Sequence, residues 1–350
     1  MSITSHSVDI PVDDPFDVVA DPALPQAALA LDPAEVELEL QQLPRLVGKG
    51  GAVKLRSIRV IRHKPGRRFM LEYGVAVSTA TGIRELTLIG KVRASHKART
   101  AYDLLNTLWN SGFDQSSSDG ISVPEPIGVI SRFNLWLQKK VPGLPLGELL
   151  PESAGTVLIQ RVVKAIHKLH VANVPTKRHH TMEDELRILH ERLPQLVQKH
   201  PEWSKRIDNL LAACTRLGAA LPPSRECGIH RDFYADQIIV DNDRLYLLDF
   251  DLYCMGDPSL DIGNFAGHII EQSLRQPDDT SRLLLCEQAL IEGFIELVGS
   301  ASRQAVAVYT ILTLVRHIYL STLFPERHQS TSQLLELCEQ RLHLQSCGKT

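Results

Sequence analysis

The stretch that most constrains this chain is Cys227–Asp261. Within it Gly228-Ile229-His230-Arg231-Asp232-Phe233-Tyr234-Ala235-Asp236-Gln237 leads into the apolar run Ile238-Ile239-Val240. Asp241-Asn242-Asp243 offers a turn, and Leu245-Tyr246-Leu247-Leu248 returns the chain to Asp249-Phe250-Asp251. Two short apolar runs around a turn of this kind predict a β-hairpin. That hairpin carries Asp232 and Asp249, 17 residues apart in sequence, towards one edge. Carboxylates gathered at one edge repel each other. A divalent cation bridging a polyphosphate removes the repulsion, and Mg2+ suits the role because it takes one or two carboxylates together with phosphate oxygens and water.

Three segments carry a family resemblance. His230-Arg231-Asp232, with a polar residue five positions after the aspartate, followed by Asp249-Phe250-Asp251, resembles a kinase catalytic loop and metal-binding loop. Gly256-Asp257-Pro258-Ser259-Leu260-Asp261 resembles the G-D-P-x-x-D signature of the aminoglycoside and choline phosphotransferases. Val141-Pro142-Gly143-Leu144-Pro145-Leu146 is similar to that family's hinge-exit segment. In element order the resemblance spans residues 45–325. Only the five residues 252–256 separate Asp251 from Asp257, which leaves no room for a long segment on which a peptide could dock. The usual G-x-G-x-x-G loop is also absent from the sequence. The expectation is an α+β, bilobal, protein-kinase-like fold with a small antiparallel-sheet N-lobe and a mainly helical C-lobe. Its implied activity is transfer of the γ-phosphate of ATP (or GTP) to a hydroxyl of a small molecule, with Mg2+.

The resemblance distributes roles among residues. Asp232 would orient the acceptor hydroxyl and take its proton late. Asp249 would hold Mg2+, Gln237 would supply a second, neutral oxygen, and Asp251 would either reach a second ion or pair with a base. Gln237 stands where the family has Asn, and its extra methylene shifts the amide oxygen. Lys91, late in Leu88-Ile89-Gly90-Lys91-Val92, would reach the α- and β-phosphates, with Asp103 as the helix acid that orients it. Lys64 and Arg67, in the turn His63-Lys64-Pro65-Gly66-Arg67, would cover the phosphates with basic side chains in place of the missing glycine pattern. The backbone around Lys139 and Val141 would read the edge of the base. His230 is expected to brace its loop, and Asp257 and Asp261 to cap backbone N–H groups of that loop and of the following helix.

The organisation along the chain fits. Residues 1–44 hold nine acids and no Lys or Arg, and Pro11, Pro15, Pro22, Pro25 and Pro33 interrupt residues 1–34. This part reads as an acidic arm, mobile or lying on the surface, with a short helix over Ala34–Gln42 started by Asp32-Pro33. Leu55–Arg62, Arg68–Ser78 and Arg84–Arg93 read as consecutive strands, Lys97–Trp109 as a helix, and Ile127–Ile130 and Leu135–Lys139 as two more strands. These form an N-lobe over 45–139. Helices are expected over Leu146–Leu150, Gly155–His170, Glu183–Lys199, Ser204–Ala220, Ser281–Val298, Ser302–Phe324 and Ser332–Leu344, in a C-lobe over 140–350. Helices from 181–220 and 281–325 would wall the acceptor pocket.

Composition excludes other classes. With 43% hydrophobic and 23% charged residues the chain is globular. The six cysteines show no C-x-x-C spacing, which suits a reduced, cytoplasmic interior better than a disulfide frame. No secretory signal and no membrane span is expected, since the longest apolar run, Ala305–Val315, is too short to cross a bilayer. Two rivals remain. A catalytically weak nucleotide-binding scaffold follows from Gln237 and the short Asp103. A polyanion-binding module follows from residues 45–71, which carry nine Lys or Arg and no acid. Interleaved aromatics are scarce there, so nucleic acid is not the expected partner.

Overall fold

The computed structural model describes residues 10–48, 50–80, 82–94 and 98–347. Lys49, Thr81 and Lys97, expected in a linker, a turn and a helix start, lie outside the described residues. The chain divides into two compact units, Met1–Pro142 and Gly143–Thr350.

The first unit is built on strands β1 (Val12–Asp13), β2 (Ala52–Lys64), β3 (Arg68–Thr79), β4 (Gly82–Arg93), β6 (Pro126–Ile130) and β7 (Leu135–Lys139). They form one sheet in the order β1-β2-β3-β4-β7-β6, antiparallel except for the parallel β1–β2 pair. Alternation makes the strands: along β3, Phe69, Leu71, Tyr73, Val75 and Val77 face one way and are buried. Helix α4 (Ala98–Leu108) follows β4, and a short strand β5 (Ile121–Ser122) precedes β6.

The acidic arm departs from expectation. Helices α1 (Ala27–Leu31), α2 (Pro33–Leu40) and α3 (Pro44–Val47) pack on the sheet, with Val18, Leu24, Ala27, Val36 and Leu40 fully buried in its core. Asp32 caps α2 by accepting from the Ala34 and Glu35 N–H groups, with Pro33 at the first helical position. The buried Tyr73 hydroxyl donates to the Ala30 carbonyl at 2.7 Å. From residue 10 on the arm is therefore part of the unit's core, because its small and aliphatic side chains recur on one side between the prolines; residues 1–9 lie outside the described residues.

In the second unit β8 (Leu144–Pro145) leads into α5 (Leu146–Leu149) and α6 (Gly155–Ala172). Then come α7 (Met182–Arg192), α8 (Pro194–Val197), α9 (Ser204–Ala219), β9 (Cys227–Ile229), β10 (Ile238–Asp241), β11 (Arg244–Leu247) and β12 (Cys254–Gly256). Four helices close it: α10 (Ser259–Arg275), α11 (Thr280–Val298), α12 (Arg303–Ser321) and α13 (Thr331–Cys347). The single helix expected over Glu183–Lys199 breaks before Pro194, whose ring cannot continue it. No range was expected for α10. It is buried almost all round and packs closely on α12, where a Cβ on Gly263 would lie 2.4 Å from that of Tyr309 and one on Gly267 would lie 2.6 Å from the Thr313 methyl. No helix among the described residues is long and apolar enough to cross a membrane.

Candidate active site

The expected hairpin is present. β10 and β11 pair antiparallel from Ile238↔Leu247 to Asp241↔Arg244, and β8 adds to the other side of β10. The Leu248 N–H donates to the Gln237 carbonyl at 2.9 Å, which fixes Gln237 across the ladder from the residue before Asp249. Asp249 then turns the chain with a left-handed backbone at φ 56°. Gln237 is buried, whereas Asp232, Asp249 and Asp251 are half-buried.

A second contact joins the loop of Asp232 to that of Asp249. His230 is fully buried, its Nε2 lies 2.7 Å from the Leu248 carbonyl, and its ring packs against Phe233 and Phe250. One imidazole thus ties the residue two before Asp232 to the residue just before Asp249. Behind this tie β9 pairs with β12, which returns the chain after Asp251.

Asp261 holds the same loop from below. Fully buried at the start of α10, it accepts from the His230 N–H at 2.9 Å and from the Arg231 N–H at 2.6 Å, and meets His170 Nε2 at 2.9 Å. Asp257 accepts from the Ser259 N–H at 2.8 Å and so caps that helix. His170, on α6, is thus a buried partner of Asp261.

Further residues of this support were not foreseen. Asn264 donates to the Phe233 carbonyl at 2.9 Å, and its own carbonyl accepts from Arg316. Arg316 also pairs with Glu185 at 3.0 Å, and Glu185 meets His180 at 2.6 Å. Burial pushes the Glu185 carboxyl up, but Arg316 and then His180 outweigh it and hold the group below its ordinary value. The signal available in sequence was Asn264 one helical turn beyond Asp261 in an otherwise apolar stretch. Cys227 lies close to this region, but burial first, and then Asp261 and Asp257, push its thiol up to about 12. A thiol raised in this way is a poor nucleophile.

The first unit holds the remaining candidates. Lys91 is buried on β4, opposite Met70 on one side and Trp136 on the other, with its Nζ 5.3 Å from the Trp136 ring centre. Asp103 is exposed on α4, and no ion pair joins it to Lys91 among the described residues. The expected orienting pair is thus not brought together; the aspartate is one methylene shorter than the glutamate the family uses. At the turn between β2 and β3, Asp21 of the arm accepts from the Gly66 N–H at 2.8 Å and meets His63 Nε2 at 2.9 Å. Both contacts, Gly66 first, hold its carboxyl below the ordinary value. Arg67 closes this turn through its N–H to the Lys64 carbonyl at 3.0 Å. The Lys139 N–H donates to the Glu125 carbonyl at 2.9 Å, so this donor is already engaged. No hydrogen bond among the described residues uses the backbone of Val141.

Residues 85–288 match the model of the phosphotransferase enzyme family, more than half of the chain. The chain belongs to this family. No protein of curated function matches this phosphotransferase in sequence. Solved structures do match in fold. A choline/ethanolamine kinase family protein from Mesorhizobium loti superposes with a TM-score of 0.53 at 12% identity, covering 88% of this chain and 94% of that one. A thermostable mutant of aminoglycoside phosphotransferase APH(4)-Ia, in a ternary complex with AMP-PNP and hygromycin B, gives 0.55 at 14% identity, covering 88% and 97%. A choline kinase from Cryptosporidium parvum gives 0.50 at 12% identity, covering 83% and 88%. At such identities the likeness is one of fold. The small antiparallel-sheet unit followed by a mainly helical one is thus the kinase-like architecture of the phosphotransferases.

Proposed function

We propose that this phosphotransferase moves the γ-phosphoryl group of ATP (or GTP) to a hydroxyl of a small molecule. The observation that carries the reading is the His230–Leu248 hydrogen bond of 2.7 Å, which couples the loop bearing Asp232 to the loop bearing Asp249. Phosphoryl transfer asks little covalent chemistry of the protein and much positioning. Asp232 accepts a hydrogen bond from the acceptor hydroxyl, orients its oxygen and receives its proton late. Lys91 supplies a fixed positive charge for the nucleotide's α- and β-phosphates, and Lys64 and Arg67 supply basic side chains at the turn. Val141 offers unengaged backbone groups for the base, whereas Lys139 contributes no free N–H.

The donors around Asp249 suit a hard cation. A carboxylate (Asp249), an amide oxygen (Gln237) and a second carboxylate (Asp251) are oxygen ligands of the kind Mg2+ takes. When bound, Mg2+ neutralises charge on the nucleotide phosphates. Asp249 and Gln237 would hold it, with Asp251 as the further carboxylate.

The acceptor hydroxyl belongs to a sugar, an amino alcohol or an anionic metabolite. Residues 174–226 carry nine Lys or Arg against seven acids, a poor wall for a polycation. Choline and hygromycin B, named for structural neighbours, are the first compounds to screen alongside a metabolite library. Asp232→Asn and Asp249→Ala should each lower transfer by at least about a thousandfold while leaving the unfolding curve nearly unchanged. Undiminished turnover in either variant refutes the assigned roles.

A nucleotide-binding scaffold is the second reading, favoured by Gln237 and by the exposed Asp103. Both readings predict a thermal shift with ATP, but only the enzyme also hydrolyses ATP slowly with Mg2+. A polyanion-binding role is disfavoured, since Asp13 pairs with Arg59 and Glu37 with Lys54 on the basic strand itself.

A further inference from the structure

The close contact of α10 with α12, allowed by Gly263 and Gly267, brings together three side chains that phosphoryl transfer does not use. His268 and Glu271 lie three apart on α10, hence on one face, and His317 comes from α12. Their donor atoms all lie within 4.8 Å of one another. Both ring nitrogens of His317 are buried without a hydrogen-bond partner, and the residue is 1% exposed. A buried imidazole with two unsatisfied nitrogens is costly unless something binds there. Glu271, equally buried, is oriented by Arg275 at 3.0 Å and by Arg327 at 3.7 Å.

We propose that His268, Glu271 and His317 form a binding site for a transition-metal dication, with zinc as its best fit. Two imidazoles and one carboxylate are a zinc donor set with a coordination position left over, and they discriminate against Mg2+. Zinc–ligand bonds of 2.0–2.1 Å require each donor to move inward by at most roughly 0.7 Å. Burial lowers the pKa of both imidazoles; for His268 the neighbouring arginines add to it, and for His317 His268 and then the arginines do. Arg275 plays the part of the hydrogen-bonded neighbour that ligating carboxylates commonly have. Arg275, Arg316 and Arg327 also repel a dication, which makes the affinity lower than that of a four-ligand structural zinc site. The site bears on the proposed chemistry without depending on it. His268 stacks on Tyr234 with ring centres 4.2 Å apart, and Tyr234 lies two residues after Asp232.

The test uses the full-length protein, stripped with chelator and dialysed in Mg2+-free buffer without nucleotide. After exposure to Zn2+ and renewed dialysis, one equivalent should be retained, and Co2+ should give the visible absorption of a low-symmetry nitrogen–oxygen site. His317→Phe should lose the retained equivalent and the zinc-induced rise in Tm, whereas Asp249→Ala should keep both. Should His317→Phe fail to fold, Glu271→Gln is read instead, and loss of the equivalent is again the expected result. No retained metal, equal retention by the His317 or Glu271 variant, or loss in Asp249→Ala overturns the assignment. A failure here leaves the phosphotransferase reading intact, because that reading is tested by turnover of Asp232 and Asp249 variants.

Discussion

Arg231 sits in the left-handed region at φ 70°, a conformation that costs a non-glycine residue of order 1–3 kcal/mol. Asp261 offsets that cost by taking the N–H groups of His230 and Arg231 on its two oxygens. Asp261→Asn replaces one acceptor by an NH2 group facing a donor and leaves a buried N–H unpaired. The expected loss is about 2–3 kcal/mol of stability in urea unfolding. Transfer activity should fall further than that at temperatures where the variant is still folded, because Asp232 is the next residue along the strained turn. A stability change below about 0.5 kcal/mol would show that the loop holds its shape without Asp261. This role was readable beforehand, because the G-D-P-x-x-D pattern puts an acid at a fixed offset from the hairpin. Asn264 and Arg316 were not, since Arg316 lies 52 residues from Asn264 and only the packing of α10 on α12 joins them.

Among the elements, α7 shows how local chemistry starts a helix. Thr181 accepts from the Asp184 N–H at 3.4 Å, Asp184 accepts from the Thr181 N–H at 3.0 Å, and Arg187 pairs with Asp184 at 2.7 Å. Arg187 first, and the Thr181 N–H second, draw the Asp184 carboxyl down to about 2 from 3.8. A depressed carboxyl stabilises the fold fully above its unfolded pKa and loses that contribution as pH falls through the folded value. Wild type should therefore exceed Asp184→Asn in Tm at pH 5–7, and the gap should close as pH is lowered from about 4 to about 2. A gap that persists at pH 2 would mean that the carboxylate's charge is not what stabilises this end of α7. The strands were legible in sequence because half-buried strands alternate, and β2, β3 and β4 lie within a few residues of the expected runs. Helix α10 was not, because burial on nearly every side erases the amphipathic stripe and Gly263 and Gly267 weaken the helical signal.

For the first unit as a body, two forces could hold the arm to the sheet, and they separate experimentally. Charge complementarity is the one visible in composition: the arm's charged residues are all acids, those of β2 are all bases, and Asp13–Arg59, Glu37–Lys54 and Asp21–His63 pairs do form. Asp13–Arg59 and Glu37–Lys54 lie at the surface, where such pairs contribute about 0–1 kcal/mol each, and at 1 M salt the screening length falls to about 3 Å. The other force is apolar burial. Val18, Leu24, Ala27, Ala30 and Leu31 are in the core, and truncating a buried leucine costs about 2–5 kcal/mol. Sequence could not rank the two, because prolines conceal the spacing of the aliphatic residues whereas acids can be counted. The structure ranks burial first. Backbone amides of β2 should thus stay protected from hydrogen exchange at about 1 M NaCl, where the pairs are screened. Leu24→Ala should lose about 2–5 kcal/mol in unfolding, against about 1 kcal/mol or less for Glu37→Gln. Release of the arm by salt alone, or a Glu37→Gln loss equal to that of Leu24→Ala, would make the arm a charge-held flap instead of core.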